Sequence, residues 1–443
     1  MKQLLFTHTI LISFFGTLSS VYSQNQPESQ NPLGTQEQIS AEKLAIQIVD
    51  SPQVRSAKES AKDSWLSVAY SLGGASSQSV RYLQEAIDES AFSTALAVSN
   101  VNPRQPKVIS ILAAPHHWFG INVPGSRQLF DNPDTTYRTI PVNSSNRYVI
   151  TGKVNSLAPV DVNFSVYAAN SSTISNLTGD QIVTSADGSF LITADSTASD
   201  GTPNHVQLTP QAASFFIRNT VSEWNVQQFE TLAVQNTTTL QSAAAPSLSQ
   251  LIQAVASAVT NSSASFQVFN ELAYAQPVNT LPAPTFGGTS GRLATQAATY
   301  SAFKISDDQA LVLTVNTGGA KYFLAPVYDR WFITTDYIHH TQSLNNSQAV
   351  PNPDGTYTFV IAVKDPHVYN WVDTVGLNEG LINLRWQNFA SSTSASPSAT
   401  VELVNLSDLP AVLPPTTKYV SAAERAAQIE AREASYSSRY SAP

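Results

Sequence analysis

The chain has 443 residues, of which only 12% are charged; its net charge is -9 and it contains no cysteine. Nucleic-acid binding needs a basic surface, so this acidic balance argues against nucleic acid and against an anionic membrane surface. The absence of cysteine excludes disulfides, thiolate chemistry and the small disulfide-stapled class of secreted proteins. A chain of this length can instead bury a large core, in two or three domains.

Residues 1–23 predict a secretory signal peptide. Lys2 gives the charged start, residues 4–18 form the apolar stretch, and Val21 and Ser23 form the small-x-small cleavage site. We expect a secreted mature chain that begins at Gln24, with no later segment able to span a membrane. Sequons support a secreted eukaryotic glycoprotein, which we interpret as fungal; they lie at Asn143, Asn163, Asn170, Asn176, Asn236, Asn261, Asn345 and Asn405.

Residues 24–100 predict a helical N-terminal region after a disordered lead-in that ends at residue 34. Thr35 and Gln38 have the spacing of a capping box, and the first helix should stop near Pro52. Apolar residues at helical spacing then continue to about Asn100.

Residues 101–235 change to the two-residue period of strands and predict a first β-sandwich domain. In "VDVNFSVYA" (160–168) the apolar residues share one face and the polar ones share the other. Asn163 lies on the polar face, where we expect a glycan to be tolerated. "SADGSFLITA" adds a turn at Asp187 and Gly188 that leads into another strand.

Residues 236–280 predict a helical linker with Ser247 as its N-cap, and residues 281–412 predict a second β-sandwich domain. "RWFITTDYI" (330–338) is among the predicted strands. Residues 413–443 predict a C-terminal helix capped by Ser421 and Glu424. "SSTSASPSAT" (391–400) has the composition of a flexible insertion.

Two segments have the same form, which suggests two similar β units. In each, an Asp-Gly turn precedes an alternating strand, and a later apolar strand ends in an arginine. The turns lie in "SADGSFLITA" and "NPDGTYTFVIA", and the arginines are Arg218 and Arg385.

Several segments resemble the domain-of-unknown-function families 1254 and 1214. "DNPDTTYRTIPVNSSNRYVITGKV" is similar to their "NPD-x-x-Y … Y-x-I-x-G" stretch. "YDRWFITTDY", "PNPDGTYTFVIA", "HVYNWVDTVGLNEGLINLRWQ" and the terminal "ERAAQIEARE" resemble the second family in order. The resemblance begins near residue 100. It implies an α+β fold of two jelly-roll-like antiparallel β-sandwich domains with N-terminal, linking and C-terminal helices, and it implies no particular chemistry.

"DNPDTTYRTI" (131–140) concentrates polar groups in a chain that is poor in charge. One interpretation is a structural turn with a buried Asp–Arg bond; the other is the wall of a ligand pocket. A regular strand here would point Tyr137 and Arg138 apart, so the pocket needs an irregular strand start. The candidate ligand-binding residues are Asp134, Tyr137 and Arg138 on one wall and Arg330, Trp371 and Arg385 on the other.

The predicted ligand is a small organic molecule or a carbohydrate, held without a cofactor. Three functions stay open: a cofactor-free tailoring enzyme of secondary metabolism that cyclises or rearranges its substrate, a glycan-acting hydrolase with paired carboxylates, and a non-catalytic secreted structural or binding protein. The carboxylates weighed for hydrolysis are Asp131, Asp134, Asp329, Asp336, Asp373 and Glu379.

The histidine pairs do not predict a metal site. His116 and His117, like His339 and His340, are neighbours, and on a strand neighbouring side chains point to opposite faces. A three-ligand site built from one histidine of each pair and an aspartate is a minor alternative. The chain has no G-x-S-x-G motif and no glycine-rich phosphate loop, and the sequence leaves oligomerisation open.

Overall fold

The computed structural model describes residues 31–154, 157–238, 245–287, 293–390 and 396–440. The predicted signal peptide and most of the lead-in lie outside these residues, as do residues 391–395 of the predicted insertion. Within the described part of the chain, no helix is long and apolar enough to cross a membrane.

The N-terminal region is helical, as the apolar spacing predicts. Thr35 accepts the amide of Gln38, but the side chain of Gln38 turns to Glu42 and Ser110, so the cap is correct and the reciprocal capping box is wrong. Pro52 occupies the first turn of the next helix, where a missing N–H costs nothing. The helices are α1 (Gln36–Val49), α2 (Pro52–Ser71), α3 (Ser77–Val80) and α4 (Leu83–Ser99).

A five-stranded and a four-stranded sheet then form a first sandwich-like unit, with orders β1-β4-β10-β6-β7 and β11-β5-β8-β9. A separate hairpin pairs β2 with β3. The strands are β1 (Ile109–Ile111), β2 (His116–Trp118), β3 (Ile121–Val123), β4 (Thr135–Pro141), β5 (Tyr148–Lys153), β6 (Asp161–Ala168), β7 (Thr173–Thr178), β8 (Ser189–Asp195), β9 (His205–Gln207), β10 (Ala212–Thr220) and β11 (Thr231–Asn236).

Two helices, α5 (Leu248–Thr260) and α6 (Ser263–Ala273), separate this unit from the second. Ser247 caps α5 as predicted and forms a full capping box with Gln250. The second unit contains β12 (Thr285–Phe286), β13 (Ala297–Lys304), β14 (Gln309–Asn316), β15 (Ala320–Tyr328), β16 (Ser343–Asn345), β17 (Tyr357–Ala362), β18 (Trp371–Asp373), β19 (Glu379–Phe389) and β20 (Ser398–Asn405).

The second unit repeats the strand order of the first, position by position. Its sheets run β12-β13-β19-β15-β16 and β20-β14-β17-β18. The strands β8 and β17 both follow an Asp-Gly turn, and Gly188 and Gly355 both have positive φ, +81° and +84°. The central strands β10 and β19 carry Arg218 and Arg385. The chain therefore has the α+β class with sandwich-like sheets, and its jelly-roll connectivity stays a prediction.

The segment 330–338 is not a strand, contrary to our prediction. β15 ends at Tyr328, and the carboxylate of Asp329 accepts the amides of Trp331 and Ile333. These bonds satisfy the backbone within a turn, so the apolar run needs no partner strand.

The chain closes with α7 (Leu409–Val412) and α8 (Ala422–Ser437), and the predicted capping box of Ser421 and Glu424 is present. Arg432 and Arg439, on α8 and just beyond it, lie over the ring of Trp224 at 4.3 and 4.6 Å. Arg439 also donates to the Pro133 carbonyl at 2.8 Å, and Arg432 donates to the hydroxyl of Ser343 on β16 at 2.7 Å, so the C-terminal segment ties the two sandwiches together.

The outer faces of the two five-stranded sheets pack against each other. Tyr328 donates to the Asp131 carbonyl at 2.9 Å, Arg385 to the Phe130 carbonyl at 2.8 Å, and Asn388 to the Val160 carbonyl at 2.6 Å. The predicted alternation in β6 is correct, but its polar face is buried and is not open to solvent.

This packing corrects two of the predicted glycosylation sites. Asn163 on the covered face and Asn345 on β16 are both fully buried, with 0% exposed surface. Asn163 donates to Asp161, and Asn345 donates to Asp134. A glycan on either amide has no space in the folded protein.

Candidate functional site

The turn that opens "DNPDTTYRTI" is a buried junction. Asp134 has no exposed surface. Its carboxylate accepts the indole N–H of Trp224 at 2.7 Å, the hydroxyl of Tyr322 at 2.8 Å and the amide of Asn345 at 2.8 Å. Burial raises the pKa of Asp134, and the bonds from Asn345 and Tyr322 oppose that rise. Asp134 therefore joins the first sandwich to the second, and nothing places it in a ligand wall.

Strand β4 is regular, so it points Tyr137 and Arg138 to opposite faces. Arg138 enters the first sandwich, where it donates to the Glu230 carbonyl at 2.7 Å and pairs with the Glu230 carboxylate at 3.0 Å. The buried ion pair that we predicted for an aspartate is thus made by a glutamate from the strand-connecting segment.

Arg330 and Trp371 also lie away from Tyr137. Arg330 donates to the carbonyls of Leu72 at 2.6 Å and Gly74 at 2.8 Å, so it anchors the N-terminal helices. Trp371 donates to the Ala362 carbonyl at 3.0 Å, beneath the guanidinium of Arg425. The six predicted residues consequently do not form two walls of one pocket.

Tyr137 and Arg385 do come together, between the facing sheets. Burial raises the pKa of Tyr137, while Arg385 and Arg218 act against that rise. Burial alone would lower the pKa of Arg385, but the surrounding tyrosines, Tyr328 first and then Tyr137, hold it above the ordinary value. Both residues belong to a polar layer, which we call the inter-sandwich layer: Tyr137, Arg218, Asn383, Arg385 and Gln387.

The inter-sandwich layer leaves polar atoms of β19 without a partner. Asn383 Oδ1, Arg385 Nε and Gln387 Oε1 are buried and have no hydrogen-bond partner among the described residues. Buried polar groups are rarely left unpaired, so these atoms require water or another polar molecule.

A cavity of about 230 Å³ opens beside this layer, at one end of the first sandwich; we call it the Asp161 cavity. It lies between the start of β6, the end of β7 and the end of β19. Its polar lining includes Asp161, Asp180, Glu230, Thr295 and Asn388. Its apolar lining includes Val160, Phe164, Phe190 and Phe389. An apolar enclosure with a few polar groups is typical of small-molecule sites.

Asp161 is buried, and its pKa is raised to about 7. Burial is the main cause, and the nearby Asp180 adds to it; Asn163, Arg218 and Lys321 act in the opposite direction. Its carboxylate accepts Asn163 at 2.9 Å in a hydrogen-bond chain that continues through Asn176. Asp161 can thus exchange a proton near neutral pH.

Glu230 has an unused acceptor beside the cavity. Its Oε1 accepts the amide of Asn219 at 2.5 Å and faces Arg138, but its Oε2 is buried without a partner. The hydroxyl oxygen of Thr295 is likewise buried and unpartnered. Both residues line the Asp161 cavity, but these two oxygens have almost no exposed surface, which leaves the carboxylate of Asp161 as the acceptor for a bound molecule.

The carboxylates that we weighed from the sequence do not serve the cavity. Asp131 binds Thr334, Asp329 caps its own turn, Asp336 binds His339, and Asp373 binds His340. Asp161 and Glu230 were missed because sequence periodicity shows which residues share a face and cannot show which face another sheet covers.

Histidine-based metal binding finds no support in the described ranges, where no group of three His, Asp or Glu side chains could hold an ion. His116 approaches Glu42, and His340 pairs with Asp373 at 2.7 Å. The two histidine pairs are therefore engaged separately.

No family model matches the chain, and neither does any curated protein. The crystal structure of an uncharacterized protein from Burkholderia cenocepacia is similar, with a TM-score of 0.69 at 20% identity, over 82% of this chain and 100% of that one. The VPA0106 protein from Vibrio parahaemolyticus gives a TM-score of 0.41 at 10% identity, over 78% of this chain and 100% of that one. The Burkholderia structure supports the fold alone, because identity this low carries no function.

Proposed function

We propose that this chain is a secreted glycoprotein that binds a small organic molecule in the Asp161 cavity. The observation that carries the proposal is the carboxylate of Asp161, which is 6% exposed in the cavity wall and accepts only the amide of Asn163 among the described residues. A buried carboxylate does not stabilise an empty cavity, whereas a bound molecule can use it as a specific contact. Secretion, fungal origin and membership of the domain-of-unknown-function families 1254 and 1214 are part of the same proposal.

Catalysis in this cavity is our second proposal, in the form of a cofactor-free rearrangement or cyclisation. Asp161 supports it, because a pKa of about 7 suits a group that donates and recovers a proton at neutral pH. The apolar walls would orient the substrate and exclude water. Asp161 and Asp180 also line one cavity, as paired carboxylates of a glycan-acting hydrolase must, so hydrolysis is the alternative reaction of the same residues.

The experiment compares the compounds that copurify with the wild-type protein and with a variant whose cavity is filled. Ala158→Trp places a large ring at the cavity wall, and Ala198→Trp places the same ring in a separate, more open groove of about 610 Å³ near Asp195. Solvent extracts of each purified protein are examined by mass spectrometry. We expect a compound that is present in wild type and Ala198→Trp and depleted in Ala158→Trp. Equal extracts, together with no binding of any small molecule near Asp161 by NMR, would refute the function.

A further inference from the structure

The Asp161 cavity has one sign of charge. The ionisable side chains that line it are Asp161, Asp180 and Glu230, and none of its described lining residues is Lys, Arg or His. The remaining surface is largely hydrocarbon and aromatic. We propose that the ligand of this cavity is an organic cation, a protonated amine on an apolar body; this inference rests on the proposed function and specifies its ligand class.

The cavity wall offers hydrogen-bond acceptors, so the ligand should bring hydrogen-bond donors. Asp161 is 6% exposed, and its carboxylate accepts only the amide of Asn163 among the described residues. No described lining residue has a buried side-chain N–H without a partner. An ammonium group carries N–H donors and no acceptor, so it matches this set, whereas a carboxylate or phosphate would meet oxygen atoms alone.

The described basic side chains near the cavity leave Asp161 without an ion pair. Arg138 pairs with the Glu230 carboxylate at 3.0 Å, so the charge of Glu230 is balanced. Arg218 donates to the hydroxyl of Tyr167 and lies over the ring of Phe216 at 4.5 Å. Lys321 is exposed and acts on Asp161 only through space. No described basic side chain forms a salt bridge with Asp161, so its charge is available to a ligand.

The aromatic walls add to the same preference. Phe164, Phe190 and Phe389 line the cavity and can pack on a hydrocarbon body. The faces of aromatic rings also attract cations, most strongly where water is excluded. A cation with an apolar body therefore uses both parts of the lining.

Amine binding should be linked to a proton on Asp161. The ammonium stabilises the ionised carboxylate, so binding lowers the pKa of Asp161 from its value of about 7 and releases a proton. Affinity should consequently rise as the pH increases from about 6 to about 8, below the pKa of an alkyl amine at about 10. Asp180, Arg218 and Lys321 are the charged groups that act on Asp161 besides the ligand.

The test uses three probes of one shape on the full chain: 2-phenylethylamine, 2-phenylethanol and phenylacetate, each titrated calorimetrically. We expect the amine to bind at least about tenfold more tightly than the alcohol, because the ion pair between ammonium and carboxylate contributes at least this factor. We expect phenylacetate not to bind. Asp161→Asn should remove most of that advantage and flatten the pH dependence while leaving alcohol binding unchanged. Glu230→Gln should have a smaller effect, because Arg138 already pairs with that carboxylate.

The control is Asp200→Asn, in the exposed groove outside the cavity, which should change nothing. Because Glu230 also pairs with Arg138, circular dichroism checks that Glu230→Gln folds. If it does not fold, the conclusion rests on Asp161→Asn, because the Asp161 side chain accepts only the amide of Asn163. Equal binding of amine and alcohol in the cavity would overturn the cation proposal and leave the proposed function intact. Amine binding that Ala158→Trp and Asp161→Asn both leave unchanged would also overturn it. Failure of every probe, with no compound in the wild-type extract, would instead overturn the proposed function.

Discussion

Asp134→Asn should destabilise the protein, although it preserves the shape of the turn. Asp134 accepts three donors, from Trp224, Tyr322 and Asn345. The amide of Asn345 cannot turn over, because its oxygen already accepts the amides of Ser347 and Gln348. An asparagine at position 134 offers one oxygen and one NH2 group, so in either orientation its NH2 meets another donor.

The magnitude follows from the donor that loses its partner. A buried unsatisfied donor costs about 1–3 kcal/mol. The neutral amide avoids the desolvation that raises the pKa of Asp134, which offsets part of this loss. We therefore expect the free energy of unfolding to fall by about 2 kcal/mol, since the two effects oppose each other.

Urea denaturation, followed by tryptophan fluorescence, measures this change in the first unfolding transition. Asp354→Asn is the matched control, because Asp354 accepts Thr356 in an exposed turn and its variant should stay within about 0.5 kcal/mol of wild type. In a Trp224→Phe background the cost of Asp134→Asn should shrink, because the NH2 group then faces no indole N–H. A wild-type midpoint for Asp134→Asn would show that the three donors do not depend on the carboxylate, and our reasoning would be wrong.

The remaining predictions concern pH, glycosylation and secretion. The hydrogen bond to Asp373 raises the pKa of His340, so this pair should stabilise the fold below the unfolded pKa of about 6.5 and lose its effect as the pH rises through the higher folded pKa. His340→Gln should accordingly lower the melting temperature at pH of about 5.5 and leave it unchanged at about 8; the reverse order would contradict this. Peptide mapping after expression in a eukaryotic host should find Asn163 and Asn345 without glycans, and occupancy at either would refute their burial. N-terminal sequencing of the exported protein should begin at Gln24; an intracellular, unprocessed chain would exclude secretion.

Much of the secondary structure follows from local chemistry. Ser247 and Ser421 cap their helices because a side-chain oxygen is positioned to accept the first free amides. The alternation in β6 and the turn at Gly188 are equally local. The similarity of the two β units was predicted from two Asp-Gly turns, each followed later in the chain by an apolar strand that ends in arginine.

The site was less predictable, because it depends on contacts distant in the sequence. Periodicity separates Tyr137 from Arg138 correctly, but it cannot show that the second sandwich covers Tyr137 and brings Arg385 to it. Asp161 begins a strand whose polar face looked solvent-exposed. Burial of this face by tertiary packing also raises the pKa of Asp161, and no local sequence pattern contains that information.

The C-terminal segment has a consequence for the order of folding. A ribosome delivers the sheets before it delivers residues 422–440, so Trp224 stays without Arg432 and Arg439 until those residues have emerged. During that interval the aromatic surface shared by Trp224 and Tyr337 is open to chaperones. A nascent chain that stops before Arg432 would keep this surface exposed, so a chaperone that binds exposed aromatic rings would retain it.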